Sequence, residues 1–180
     1  KVTHIKVNEE GLVDPQDVKQ AITDKTILIA VMLASNEIGT IQPISEIGTI
    51  SKKHNIPFFV DAVQAVGHIP VNVDDLGSDL LSLSAHKFYG PKGIGALYIR
   101  KGTKISPLLL GGDQERSRRA STQNVAGAVG LAQAIKVCEQ RMDKEIVFQT
   151  QLRDKLLKEV PRRIEGVKIN GHLSRRLPNN

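Results

Sequence analysis

The sequence predicts an α/β fold built on a mostly parallel sheet flanked by helices, and three observations carry that reading. Short aliphatic and β-branched runs recur, as in "TILIAVM" at residues 26–32, "FFVDA" at 58–62, "SDLLSLS" at 78–84 and "GALYIR" at 95–100. Helical patterns separate the earlier runs, which is the alternation of a parallel α/β sheet. Polar side chains then collect immediately after each of the first three runs, where open α/β sheets bind their ligands.

Each element has its own local signal. "DPQDVKQAIT" places Asp14 as a helix N-cap and Pro15 at the first helical position, with Val18, Ala21 and Ile22 on one face. The unbroken apolar run at 26–32 predicts a strand buried on both faces. A helix is expected over residues 44–54, followed by the strands at 58–62, 78–84 and 95–100. From residue 123 to 160 the pattern turns helical, with Ala128, Leu131, Ile135, Cys138, Met142 and Ile146 recurring every three or four positions. Such a helix would be roughly 55 Å long, so it is expected either to break or to link two domains. The division expected is residues 1–122 as one domain, 123–160 as the linking helical region and 161–180 as the start of a small C-terminal domain.

The 180 residues and 40% hydrophobic content suffice for an ordinary core. Lys and Arg number 25 against 19 Asp and Glu, a net charge of +6, with the excess scattered except around "QERSRRAS" and "PRRIEG". That balance fits an anionic small ligand better than nucleic acid, and six aromatic residues with no nucleic-acid motif point the same way. No apolar run approaches the roughly 20 residues of a membrane span, so neither membrane nor nucleic acid is expected as a partner. The single cysteine excludes an internal disulfide framework and a cysteine-rich metal site and agrees with a reducing, cytoplasmic setting. A start on Lys1 without Met and a stop at "RRLPNN" make an internal piece of a longer protein the expectation.

The strand ends hold the chemistry. After the first run comes "LASNEIGT" with Asn36 and Glu37, after the second "DAVQ" with Asp61 and Gln64, and after the third "SAHK" with Ser84, His86 and Lys87. A parallel sheet would bring these side by side. A lysine amine at a sheet edge is the group for a Schiff base with an aldehyde, and pyridoxal phosphate enzymes pair it with an Asp that keeps the pyridine nitrogen protonated. Lys87 and Asp61 fit those roles, with Gln64 in reach of the ring hydroxyl and Ser84 and His86 facing the phosphate. Taken singly, each has a plainer reading: Lys87 as a solvated loop residue, Asp61 as a helix N-cap, Gln64 as an exposed helical residue, His86 as a turn histidine. "GPKGIG" precedes a strand and lacks Walker spacing, so it reads as a turn.

Four motifs, "ASNEIGTIQPI", "VDAVQAVG", "SLSAHKFYGPKGIGALYIRKG" and "GGDQERSRRASTQN", together resemble the cysteine desulfurases of the nitrogen-fixation and iron–sulfur-assembly type, relatives of the class V aminotransferases. The resemblance spans nearly all of the chain and keeps the family's motif order. It implies an aspartate-aminotransferase-like fold (PLP fold type I) with a large domain and the start of a small one, and a homodimer. It also implies pyridoxal 5'-phosphate on Lys87, Asp61 on the ring nitrogen, Asn36 and Gln64 near the ring oxygen, and Ser84 and His86 on the phosphate. Thr122 matches a threonine that reaches the phosphate of the other subunit. The implied reaction converts L-cysteine to L-alanine and hands the sulfur, as an enzyme persulfide, to an iron–sulfur scaffold or other acceptor protein. In the family the displaced lysine is placed to move the substrate Cα proton, and the sulfur-accepting cysteine lies on a loop beyond the stretch this chain matches. Cys138, on the apolar stripe of the long helix, reads instead as a small core residue.

Two positions depart from the family pattern. Asp113 stands where Gly or His is usual, and Ser121 where Gly usually precedes the threonine; a positive φ at Ser121 would cost on the order of 1 kcal/mol. Arg116, Arg118 and Arg119 are placed to offset the added acid, or form a charged surface loop. The alternatives are another class V enzyme, such as a selenocysteine lyase or an aminotransferase, and a non-catalytic dimerisation or docking module.

Overall fold

One sheet organises the chain, with strands in spatial order β1 (Ile29–Met32), β2 (Phe58–Asp61), β3 (Leu80–Ser84) and β4 (Gly95–Ile99). The computed structural model describes residues 1–180. β1, β2 and β3 run parallel, and β4 returns antiparallel on β3, so the sheet is mostly parallel as expected. Helices α1 (Pro15–Ala21), α2 (Ile44–Lys53) and the long α4 (Val125–Arg163) complete the fold, with a left-handed turn labelled α3 (Gln114–Ser117) ahead of α4.

Local chemistry sets the element ends. Asp14 accepts the Gln16 N–H at 2.8 Å and Pro15 opens α1, so the predicted cap forms. α2 turns Ile44, Ile47 and Ser51 inward, and its end is closed by the Ser51 hydroxyl, which donates to the Ile56 carbonyl. At the amino ends of the strands, Asp79 Oδ2 accepts the Phe58 N–H at 2.9 Å, while Arg100 donates to the Ser78 and Val73 carbonyls and pairs with Asp74 at 2.7 Å. The core lies between helices and sheet: Val18, Ile44 and Ile47 pack with Ile29, Phe58, Val60 and Leu81. Phe58 and Val60 are fully buried, and truncating Phe58 to Ala would cost about 3–5 kcal/mol.

One expectation is corrected here, and one alternative is decided. The run at 26–32 is not buried on both faces: only Ile29 is buried, while Ile27, Leu28 and Met32 are exposed. Burial alternates along the strand, with Ile29 buried and Val31 half-buried under α1 and α2 but Ala30 and Met32 exposed, so only one face of β1 is covered. The helical region does not break, since α4 continues for 39 residues, about 58 Å, and even carries Pro161 in its last turn. Its early part is anchored where Leu131, Ala134, Ile135 and Cys138 pack on Ala85 and Phe88 just past the end of β3.

Candidate functional site

The parallel register aligns the strand ends. Met32 pairs with Asp61 and Asp61 with Ser82, so β1, β2 and β3 finish along one edge of the sheet. The chain stays in step just beyond it, with the Leu33 N–H donating to the Asp61 carbonyl at 2.8 Å and the Ala62 N–H to the Ser82 carbonyl at 3.0 Å. Asn36, Asp61, Gln64, Ser84, His86 and Lys87 all lie on this edge or within a few residues of it.

Asp61 is the last residue of β2 and half-buried. Its Oδ1 accepts the Val63 N–H at 3.0 Å and the Ser82 hydroxyl at 3.3 Å. These contacts fix the carboxylate and leave Oδ2 without a protein donor. Gln64 follows in a tight turn, not in a helix: the Ala65 and Val66 N–H groups both return to the Ala62 carbonyl. Its half-buried amide has no protein partner.

Ser84 ends β3 in extended backbone, and Ala85–Lys87 form a single 3-10 turn. Ala85 is fully buried and points the turn inward, His86 is exposed, and Lys87 is half-buried with its amine free of hydrogen bonds and ion pairs to the protein. The Phe88 and Gly90 N–H groups both donate to the Ala85 carbonyl, at 3.1 and 2.9 Å, and Tyr89 takes a left-handed φ of 66°. The chain thus reverses directly after the lysine. Asn36 occupies an exposed turn, held by Ser35 Oγ accepting the Glu37 and Ile38 N–H groups at 3.2 and 3.3 Å.

That turn is clamped from far along the chain. The Ile41 N–H donates to the Arg175 carbonyl and the Leu177 N–H to the Gly39 carbonyl, each at 2.9 Å, and Thr40 Oγ1 accepts the His172 N–H at 3.0 Å. Arg153 of α4 donates to the Leu177 carbonyl at 3.0 Å. Nothing in the sequence spacing pointed to this clamp. Thr122 is not brought into the cluster by any hydrogen bond: it is exposed, between α3 and α4. Ser121 before it has φ 98°, and Glu115, Arg116 and Ser117 are also left-handed at 50°, 58° and 60°.

Cys138 is no nucleophile in this setting. The thiol is buried, donates to the Phe88 carbonyl with Sγ···O 3.6 Å, and is pushed above the ordinary thiol range by that burial and by the nearby Glu145 charge. Sequence reasoning missed His68, whose ring Nε2 lies 2.9 Å from the Lys87 carbonyl. A histidine after Gly67 carries no periodic signal, and only the three-dimensional pairing of backbone carbonyls reveals it.

The edge therefore offers an amine, a carboxylate oxygen, two amides, a hydroxyl and an imidazole, none committed to another protein group. This donor set suits an anionic aromatic aldehyde, with the amine for the carbonyl, Asp61 for a protonated ring nitrogen, and Ser84 and His86 for the anion.

Known proteins match the chain end to end. A cysteine desulfurase IscS of Dictyoglomus turgidum is 59% identical over 180 residues, covering 100% of this chain and 46% of that protein. One from Methanosarcina thermophila is 52% identical and is covered to 44% of its length. The chain thus spans about half the length of the curated relatives it matches. Among solved structures, a NifS-like protein superposes with a TM-score of 0.93 at 40% identity, covering 99% of this chain and 49% of that one. The apo cysteine desulfurase of Thermococcus onnurineus NA1 gives 0.86 at 32% identity, with 99% and 49% covered. With the family model "Aminotransferase class-V" matching residues 1–179, the chain belongs to the class V aminotransferase family.

Proposed function

We propose that this chain is the lysine-bearing part of a pyridoxal 5'-phosphate-dependent cysteine desulfurase, which converts L-cysteine to L-alanine and passes the sulfur to an acceptor protein for iron–sulfur cluster assembly. The observation that carries the reading is the presence, on adjacent parallel strand ends, of the uncommitted Lys87 amine and the half-committed Asp61 carboxylate. Bound at this edge, the cofactor would supply an electron sink that makes the substrate Cα–H acidic. Lys87 would hold the aldehyde and, once the substrate amine has taken its place, move the Cα proton on Nζ. Asp61 would keep the ring-nitrogen proton on its free Oδ2. Ser84 and His86 would bind the phosphate, Asn36 and Gln64 the ring oxygen, and Thr122 the phosphate in a second copy of the chain.

Cysteine as substrate is supported by relatives named cysteine desulfurase at 45–59% identity across the chain, and by a related protein, SspA, solved in complex with cysteine at 43% identity. The persulfide would form on a thiol other than the buried Cys138, and a scaffold protein would receive it. The parent is read as a cytoplasmic homodimer in which residues 1–122 carry the cofactor, 123–160 link, and 161–180 begin a small domain. No helix is long and apolar enough to cross a membrane.

Absorbance after incubation with pyridoxal phosphate and desalting tests this. The chain should retain a visible band that Lys87→Ala lacks. A Lys87→Ala variant that retains the same band would refute the assignment, as would a full-length parent that retains none.

A further inference from the structure

The turn that carries Lys87 leaves two carbonyls without backbone partners. The Ala85 carbonyl takes both the Phe88 and Gly90 N–H groups, after which the chain swings away through left-handed Tyr89. The Lys87 and Phe88 carbonyls therefore point out of the turn with no ladder to join. Each meets a side chain from a different element. His68 Nε2 approaches the Lys87 carbonyl at 2.9 Å, and Cys138 Sγ of α4 approaches the Phe88 carbonyl at 3.6 Å.

A carbonyl oxygen only accepts, so His68 must carry its proton on Nε2 and donate it. His68 also belongs to the turn that begins at Asp61: its own N–H returns to the Ala65 carbonyl at 3.0 Å, and the Ala65 N–H returns to Ala62 at 2.9 Å. The bond therefore joins two turns, one holding the candidate carboxylate and one the candidate amine. Gly67, its neighbour, lies so close to Phe88 and Cys138 that an added Cβ would fall 3.2 Å from Phe88 Cγ and 3.4 Å from Cys138 Sγ. His68, Cys138 and Tyr89 also line one cavity of about 260 Å³ behind the lysine turn, together with Arg141 and Glu145.

We infer that His68 is a positioning residue. It acts through the Lys87 backbone, not through the cofactor, and fixes the spacing between the Lys87 amine and the Asp61 carboxylate by tying their two turns together. The inference rests on the proposed cofactor reading for its consequence, but the brace itself can be measured without any cofactor.

The test compares His68→Gln, whose amide keeps a donor at the Nε2 position, with His68→Met, which fills similar space with no donor. Amide hydrogen exchange in the cofactor-free chain should speed up about fivefold at Phe88 and Gly90 in His68→Met, the loss of one net hydrogen bond. It should stay near wild type in His68→Gln, with α1 amides unchanged in both. After pyridoxal phosphate is added, the rate of band formation should fall in His68→Met and recover in His68→Gln. Unchanged exchange in His68→Met, or equal loosening in both variants, would overturn the brace. Absence of a retained band in the full-length parent would overturn the cofactor reading alone and leave the exchange result to decide the brace.

Discussion

Replacing Gly67 with Ala should loosen the turn that presents Lys87 more than its small change in volume implies. Gly67 has φ +83°, where a side chain costs about 1–2 kcal/mol. The new Cβ would overlap Phe88 Cβ outright and stand 3.2 Å from Phe88 Cγ, and Phe88 is fully buried with no room to retreat. Overpacking of that kind costs about 1–3 kcal/mol more. A central value of about 3 kcal/mol converts, at about 2–4 °C per kcal/mol for a chain of this size, to a melting temperature lowered by about 6–12 °C. Gly166→Ala is the internal control, because it has φ +76° with no atom within 4 Å of the added Cβ. It should bear the backbone cost alone. Thermal unfolding followed by circular dichroism measures both. If Gly67→Ala melts with Gly166→Ala, the close packing of Gly67, Phe88 and Cys138 is refuted.

Two further outcomes follow from strain and burial. Ser121→Gly should stabilise the chain by about 1 kcal/mol, because φ 98° suits glycine and not serine, and urea unfolding with an unmoved midpoint would contradict this. Cys138 titrates above the ordinary thiol value because of its burial and Glu145, so the folded state keeps a proton that the unfolded state has already lost. Its contribution to stability is therefore complete below about pH 8.5, the unfolded thiol value, and is lost as pH rises through the higher folded value. Wild-type stability should fall more steeply than that of Cys138→Ser between about pH 8 and 10, and iodoacetamide should label the native thiol far more slowly than the unfolded one. Rapid native labelling at pH 8 would count against the assignment.

Much of this arrangement was legible in the sequence because it rests on local or periodic chemistry. Asp14 and Pro15 specify the start of α1 by capping and fixed φ, and the polar residues after each apolar run mark the edge that a parallel register then aligns. Ile27 and Leu28 misled because apolar runs report composition, whereas burial on two faces requires a packed layer over each, and β1 alternates buried Ile29 and half-buried Val31 with exposed Ala30 and Met32. Length alone could not choose between a break and a continuous linking helix; α4 runs on unbroken although only its early part packs on Phe88. The His68 bond and the clamp of residues 172–177 on Gly39, Thr40 and Ile41 could not be read at all. Both satisfy backbone groups at turns, and which distant side chain or strand does so depends on the fold and not on spacing.

Lys87, among the chain's many lysines, is the one proposed to bond the cofactor aldehyde. Borohydride reduction of the chain equilibrated with pyridoxal phosphate, followed by peptide mass analysis, tests that assignment directly. A phosphopyridoxyl adduct is expected on the peptide containing Lys87 and on no other lysine in comparable yield. An adduct spread over exposed lysines such as Lys92, Lys101 and Lys104, with Lys87 unmodified, would contradict it.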